Sequence, residues 1–186
     1  MTSTEIASAE LRDLLVSRIR DVPDYPQPGV VFKDITPLLA DPVAFNALVD
    51  ALAALCRRHA ATKVVGLEAR GFILAAPAAA RAHLGFVPVR KAGKLPGEIL
   101  GQSYALEYGT AEIEIQSDAF GPRDRVLVID DVLATGGTAE AAVELIRRTG
   151  AEVVGVAVLL ELGFLDGRQR LATALSGAAL DALIVI

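Results

Sequence analysis

Hydrophobic positions along the chain follow two rhythms. Leu11, Leu14, Leu15 and Ile19 recur at helical spacing, and Asp41-Pro42 supplies a cap and a first-turn proline to a second helix striped by Phe45, Leu48, Val49, Leu52 and Leu55. Between such stretches lie contiguous apolar, β-branched runs: "TKVVGL" (62–67), "FVPV" (86–89), "RVLVID" (125–130) and "EVVGVAVLLE" (152–161). Alanine-rich helical stretches, "ILAAPAAARAHL" and "AEAAVELIRR", separate them. Runs apolar throughout, joined by helices, predict an α/β fold with a mostly parallel central sheet flanked by helices. The stretch "QSYALEYGTAEIEIQ" (102–116) breaks this rhythm. It alternates on both sides of Tyr108-Gly109 and predicts an antiparallel hairpin projecting from the sheet. The last stretch, "LSGAALDALIVI", stops on an apolar strand. Neither a repeat nor a long linker marks a boundary, so residues 1–186 are expected to form one domain.

Composition narrows the partners. At 186 residues and 53% hydrophobic the chain carries a full-sized core, and a formal charge of -5 argues against binding nucleic acid through phosphate neutralisation. Any phosphate site must be local. No apolar run approaches the ~20 residues that span a bilayer, so no membrane partner is expected. The first 20 residues carry charge throughout and lack the apolar centre of a secretion signal, which makes the cytoplasm the expected location. Cys56, the single cysteine, sits in the apolar run "ALVDALAALCRRH" and reads as a buried, inert thiol. His59 and His83 stand among helical alanines without ligand-spaced Cys, Asp or Glu, and read as surface or packing residues.

In an open α/β sheet, ligands lie beyond the carboxyl ends of the strands. Four apolar runs lead there into "EARGF" (68–72), "RKAGKLPG" (90–97), "DDVLATGGT" (130–138) and "ELG" (161–163). The third has the look of a Walker B strand, but its obligatory P-loop is missing: Gly93-Lys94 is followed by Leu95, not Ser or Thr. A dinucleotide site would need G-x-G-x-x-G, which the chain lacks. A plainer reading makes the two aspartates a solvated strand end with a helix cap. Chemistry favours another. Thr135, Gly136, Gly137 and Thr138 can turn several N–H groups toward one phosphate at a helix N-terminus. Asp130 and Asp131 would repel that phosphate, yet are good acceptors for two neighbouring sugar hydroxyls. The ligand implied is a ribose 5-phosphate.

With that ligand, "VLVIDDVLATGGT" closely resembles the phosphoribosyl-pyrophosphate motif of type I phosphoribosyltransferases. "PGVVFKDITPLL" (28–39), "GLEARGF" (66–72), "VRKAGKLPG" (89–97) and "SYALEYGTAEIEIQ" (103–116) all resemble the adenine phosphoribosyltransferases, collinearly. The resemblance covers most of residues 22–165. It implies transfer of a phosphoribosyl group from 5-phosphoribosyl 1-pyrophosphate to adenine, giving AMP and pyrophosphate in purine salvage. The fold implied is the type I phosphoribosyltransferase fold, with a flexible hairpin flap over the active site at roughly residues 91–116.

Residue roles follow from the same resemblance. Asp130 and Asp131 would hold the ribose hydroxyls, while Ala134, Thr135, Gly136, Gly137 and Thr138 wrap the 5-phosphate. Ala69 and Arg70 would meet the pyrophosphate, with Arg90, Lys91 and Lys94 as a second, cationic clamp. Val31, Phe32 and Lys33 match the adenine pocket, Lys33 contributing through its backbone. Glu107 matches the family's proposed catalytic glutamate near the purine's imidazole side, and Tyr104 and Tyr108 flank it on the flap. A plainer reading makes Arg90, Lys91 and Lys94 a solvated basic loop, and Glu107 an exposed strand carboxylate. Mg2+ is the implied cofactor, with no protein cage in view, carried on substrate oxygens and water. A homodimer is the expected assembly. Two alternatives stay open: a transferase for xanthine or hypoxanthine, against which "PGVVFKDITP" argues, and a phosphoribosyl-pyrophosphate-sensing regulator, which would want a DNA-binding domain.

Overall fold

A computed structural model describes residues 7–105 and 109–186. Five contiguous apolar segments form parallel strands: β3 (Lys63–Leu67), β4 (Gly85–Lys91), β7 (Arg125–Leu133), β8 (Glu152–Glu161) and β9 (Ala179–Val185). With the antiparallel hairpin β5 (Ile99–Ala105) and β6 (Thr110–Gln116) they make a seven-stranded sheet in the order β5-β6-β4-β3-β7-β8-β9. A separate two-stranded sheet pairs β1 (Arg20–Pro23) with β2 (Val31–Asp34).

Both faces of the middle strands β3, β7 and β8 are covered, which is why these strands are mostly apolar. Val64, Leu127 and Ile129 point into one core with Leu48, Leu52 and Leu74, from α3 (Pro42–Arg58) and α4 (Arg70–Ala82). Their neighbours Val65, Val126 and Val128 point into the other with Leu145 and Leu171, from α5 (Gly137–Arg148) and α6 (Gly167–Leu175). Alternate residues of one strand thus serve opposite cores. Short α1 (Ala9–Val16) and α2 (Thr36–Ala40) complete the helices described. The expected cap of α3 forms, Asp41 accepting from the N–H groups of Val43 and Ala44.

Several boundaries differ from the sequence reading, each for a pairing reason. β7 runs past "VLVID" to Leu133, because Asp130, Val132 and Leu133 lie opposite Val158, Leu160 and Glu161 on β8. The two aspartates are therefore strand residues, and the loop begins after them. β4 likewise takes in Arg90 and Lys91, which pair with Glu114 and Ile113 of β6. The hairpin consequently extends the sheet edge instead of projecting freely from it. α4 starts at Arg70, ahead of the alanine-rich run. β1, β2, α2 and α6 lacked a periodic apolar signal and were not anticipated.

Cys56 is fully buried, and burial pushes its thiol up to about 11. His59 caps α3, and its Nε2 lies 2.5 Å from Asp181 Oδ2 on β9, which makes it a packing residue with a carboxylate partner the sequence did not reveal. Among the described residues no helix is long and apolar enough to cross a membrane.

Candidate active site

The carboxyl ends of β3, β4 and β7 meet at a cleft of about 480 Å3, lined by residues that include Glu68, Arg70, Lys91, Tyr104, Asp131 and Val132. It adjoins a hollow of about 90 Å3 formed by residues 132–139 and Asp130. Asp130, Val132, Ala134 and Thr138 line both. The hollow is the size of a phosphate group plus little else, and the cleft has room for a sugar and a base. A larger hollow, about 670 Å3, opens elsewhere beside Arg125 and Arg147. Those guanidiniums already serve helix-end carbonyls, Arg125 those of His59 and Ala60 and Arg147 those of Ala174 and Leu175. Their donors are committed to the fold.

The small hollow owes its form to backbone. Gly136, with φ +82°, caps α5, so the free N–H groups of the helix's first turn open toward it. Thr138 Oγ1 lies 3.3 Å from Tyr104 Oη, linking this turn to strand β5 of the hairpin.

The two carboxylates have unlike surroundings. Asp131 is buried, with Arg70 Nε 2.8 Å from its Oδ2. That contact is close enough for an ion pair, but it lacks hydrogen-bond alignment, and Oδ2 has no hydrogen-bond donor among the described residues. A buried carboxylate oxygen without a donor is costly, and a ligand hydroxyl would satisfy it. Asp130 takes the backbone N–H of Asp131 on Oδ1 at 2.9 Å. Burial first, then the charge of Asp131, push its carboxyl well above the usual aspartate range. Gly71 makes the tight approach possible: a Cβ there would stand 2.8 Å from Asp130 Oδ1 and 3.0 Å from the carbonyl of Ile129.

Arg70 opens α4 and touches two candidate regions at once. Besides Asp131, its guanidinium lies 5.0 Å from the centre of the Phe32 ring, within cation–π range. Tyr25 packs edge-on against that ring at 5.2 Å. Opposite, Glu68 Oε2 accepts the backbone N–H of Lys91 at 2.9 Å and Arg90 Nε at 3.2 Å. The Lys91 N–H foremost, with Arg90, holds the Glu68 carboxyl below its usual range. Glu114 Oε2 takes the N–H of Gly93 at 3.0 Å, and Arg90 donates to the Lys94 carbonyl at 3.2 Å. The basic segment is thus tied down by two glutamates.

The description phosphoribosyl transferase domain matches residues 39–172 of this chain. An adenine phosphoribosyltransferase of Streptomyces clavuligerus is 72% identical over 175 residues, covering 94% of this chain and 97% of its own. The chain belongs to the adenine phosphoribosyltransferase family. Among solved members, the enzyme of Rhodothermus marinus superposes with a TM-score of 0.89 at 49% identity, over 96% of this chain and all of that one. The Saccharomyces cerevisiae enzyme, complexed with adenine and an imino-altritol bisphosphate, does so with a TM-score of 0.88 at 36% identity, over 94% and 99%. The type I phosphoribosyltransferase fold expected from sequence is the one observed.

Within this family fold, Ala69, Arg70, Lys91, Tyr104, Asp130, Asp131, Ala134 and Thr138 all line the cleft, and Thr135, Gly136 and Gly137 line the adjoining hollow. Arg90 stands one step back, on Glu68. Lys94 is reached by the site only through its carbonyl. Phe32 meets the cleft through Arg70, while Val31 is half exposed. Lys33 is not free in solvent, since its Nζ lies 2.7 Å from Asp21 Oδ1. Glu107 and Tyr108 lie outside the described residues. Glu68 and Gly71 carry site geometry that the sequence reading left unassigned. Their signal was present in "EARGF", where a carboxylate and a glycine flank the chosen Ala69 and Arg70.

Proposed function

We propose that this protein transfers the phosphoribosyl group of 5-phosphoribosyl 1-pyrophosphate to adenine, releasing AMP and pyrophosphate in purine salvage. The observation that carries the reading is the buried Asp131 Oδ2, without a donor, beside a phosphate-sized backbone hollow. Carboxylates for hydroxyls next to N–H groups for a phosphate describe one ribose 5-phosphate.

The bond from the anomeric carbon to the pyrophosphate oxygen breaks, its electron pair leaving with pyrophosphate. Adenine N9 forms the new bond to that carbon and loses its proton. Arg70 and the N-terminus of α4, with Lys91 and Arg90 from the other side, meet the charge that grows on the leaving group. Lys94 joins that clamp. Phe32 and Val31 flank the flat base, and β2 reads its edge. One edge of β2 is paired with β1, while its other edge has no strand partner among the described residues and leaves the backbone of Lys33 for the purine. Glu107 moves the proton between N7 and N9, and Tyr104 and Tyr108, its neighbours in sequence, are the flap residues assigned to the ligand. The hairpin covers the reaction and excludes water.

Among the described residues no three His, Cys, Asp or Glu side chains gather into a metal cage. Mg2+ would be carried mainly by substrate oxygens and water, with Asp130 and Asp131 the carboxylates available to its water shell. When bound, such an ion would offset the negative charge of the pyrophosphate. The working unit is a cytoplasmic homodimer in which part of the 90–94 segment serves the neighbouring subunit.

Two measurements test the reading. Ribose 5-phosphate is expected to bind about tenfold or more tightly than 2-deoxyribose 5-phosphate, because the deoxy sugar leaves a buried carboxylate oxygen without a hydrogen-bond donor. Equal affinities would remove the aspartates from the sugar site. In turnover with both bases present, adenine is consumed ahead of hypoxanthine, and Glu107→Gln slows the chemical step while donor affinity is retained. Preference for hypoxanthine would overturn the choice of base.

A further inference from the structure

The phosphate hollow is built on the first turn of α5, and that turn carries a negative side chain, Glu140. The N–H groups and helix dipole that attract a phosphate attract a carboxylate equally, so an unscreened Glu140 opposes the ligand. α6 supplies the counter-charge. Arg170 Nε lies 2.6 Å from Glu140 Oε2, and its Nη1 is 3.3 Å from where a Cβ on Gly137 would stand. The guanidinium therefore leans on the backbone of the phosphate turn while holding the carboxylate.

Gly167 seats this helix. A Cβ on Gly167 would overlap the carbonyl oxygen of Ala134 and lie 3.3 Å from the nitrogen of Gly136. In return, a Cβ on Gly136 would stand 2.9 Å from the carbonyl oxygen of Gly167. Two backbones are thus pressed together with no side chain between them. Leu171 and Leu175, both buried, anchor the rest of α6 in the core. Arg168, one residue after Gly167, serves a different carboxylate, the buried Glu161.

We propose that Arg170 is a positioning residue for the donor's 5-phosphate: it screens Glu140, so that the first turn of α5 presents an attractive field to the ligand. The inference rests on reading residues 134–138 as the 5-phosphate loop. It goes beyond that reading by assigning a role to α6, which follows the recognisable motifs in sequence.

The test is a double-mutant cycle on the full-length protein, reading the calorimetric Kd for ribose 5-phosphate together with kcat and KM for both substrates. Arg170→Gln weakens ribose 5-phosphate binding about two- to fivefold, an effect typical of a charge at a helix N-terminus, and raises the donor's KM in proportion. The KM for adenine stays within about twofold, and the loss shrinks as salt is raised, as screening requires. Adding Glu140→Gln to Arg170→Gln restores the affinity, an outcome no merely structural role would produce. The pair is partly exposed, so both variants remain folded, which Tm verifies. Unchanged binding in Arg170→Gln, or a double variant as weak as the single one, overturns the screening role. Wild-type protein that binds no ribose 5-phosphate would overturn the loop assignment itself, and the screening role with it.

Discussion

Asp130 and Asp131 are adjacent in the chain, yet the strand's alternation gives them different environments and different consequences for stability. Asp130 titrates above the ordinary aspartate range because burial and its neighbour's charge disfavour the ionised form. The folded state therefore holds its proton to higher pH than the unfolded chain does. The resulting stability is full below the ordinary aspartate range and is lost as pH rises through the raised folded value. At neutral pH the buried Asp130 carboxyl is therefore a liability in the empty protein. Asp130→Asn is accordingly expected to raise the Tm of the unliganded protein by about 2–4 °C at pH 7. The gain should vanish below the ordinary aspartate range, while donor affinity falls at pH 7. A lower Tm for Asp130→Asn in thermal scans would contradict this account. This candidate pair was legible in sequence because two adjacent carboxylates stand at a strand end directly before a glycine-rich turn. Glu68 was not legible in this way, since a lone glutamate after a strand has many uses, and its partners lie more than twenty residues away on β4.

At the level of elements, the cleft depends on strands continuing farther than their apolar runs. β7 carries Asp130 and Asp131 inside its pairing with β8, and β4 carries Arg90 and Lys91 inside its pairing with β6. Apolar pattern located the strands but not their ends, because backbone pairing extends through polar residues whenever a neighbouring strand is there to meet them. Glu68 ties the end of β3 to the end of β4, so it sets the spacing between the two sides proposed for pyrophosphate. Glu68→Gln keeps an acceptor for the Lys91 N–H but loses the charge on Arg90. Steady-state kinetics should show the donor's KM rising about three- to tenfold, as expected for a lost charge-assisted bond in a partly exposed pair, with a smaller change in kcat. Because Glu68 titrates below its usual range, its contribution to stability holds above that range and is lost only as pH falls through the lowered value. A donor KM unchanged by Glu68→Gln would separate the β3–β4 tie from pyrophosphate binding.

On the scale of the whole molecule, one mostly parallel sheet brings the ends of three strands and two helix N-termini to a single cleft, which is where open α/β sheets bind ligands. That much follows from contiguous apolar runs alternating with helices. The pieces that escaped sequence reading are short or polar: the β1–β2 hairpin over Arg70, and α6 behind the phosphate turn. They are fixed by long-range contacts, Phe32 on Arg70 and Gly167 on Ala134, that leave no local period. The most direct measurement incubates the purified protein with Mg2+, 5-phosphoribosyl 1-pyrophosphate and adenine, and quantifies AMP and pyrophosphate by chromatography. The account predicts that the two products appear together in equal amounts and that Asp131→Asn sharply reduces both; adenine left unconsumed by the folded wild-type protein would contradict it.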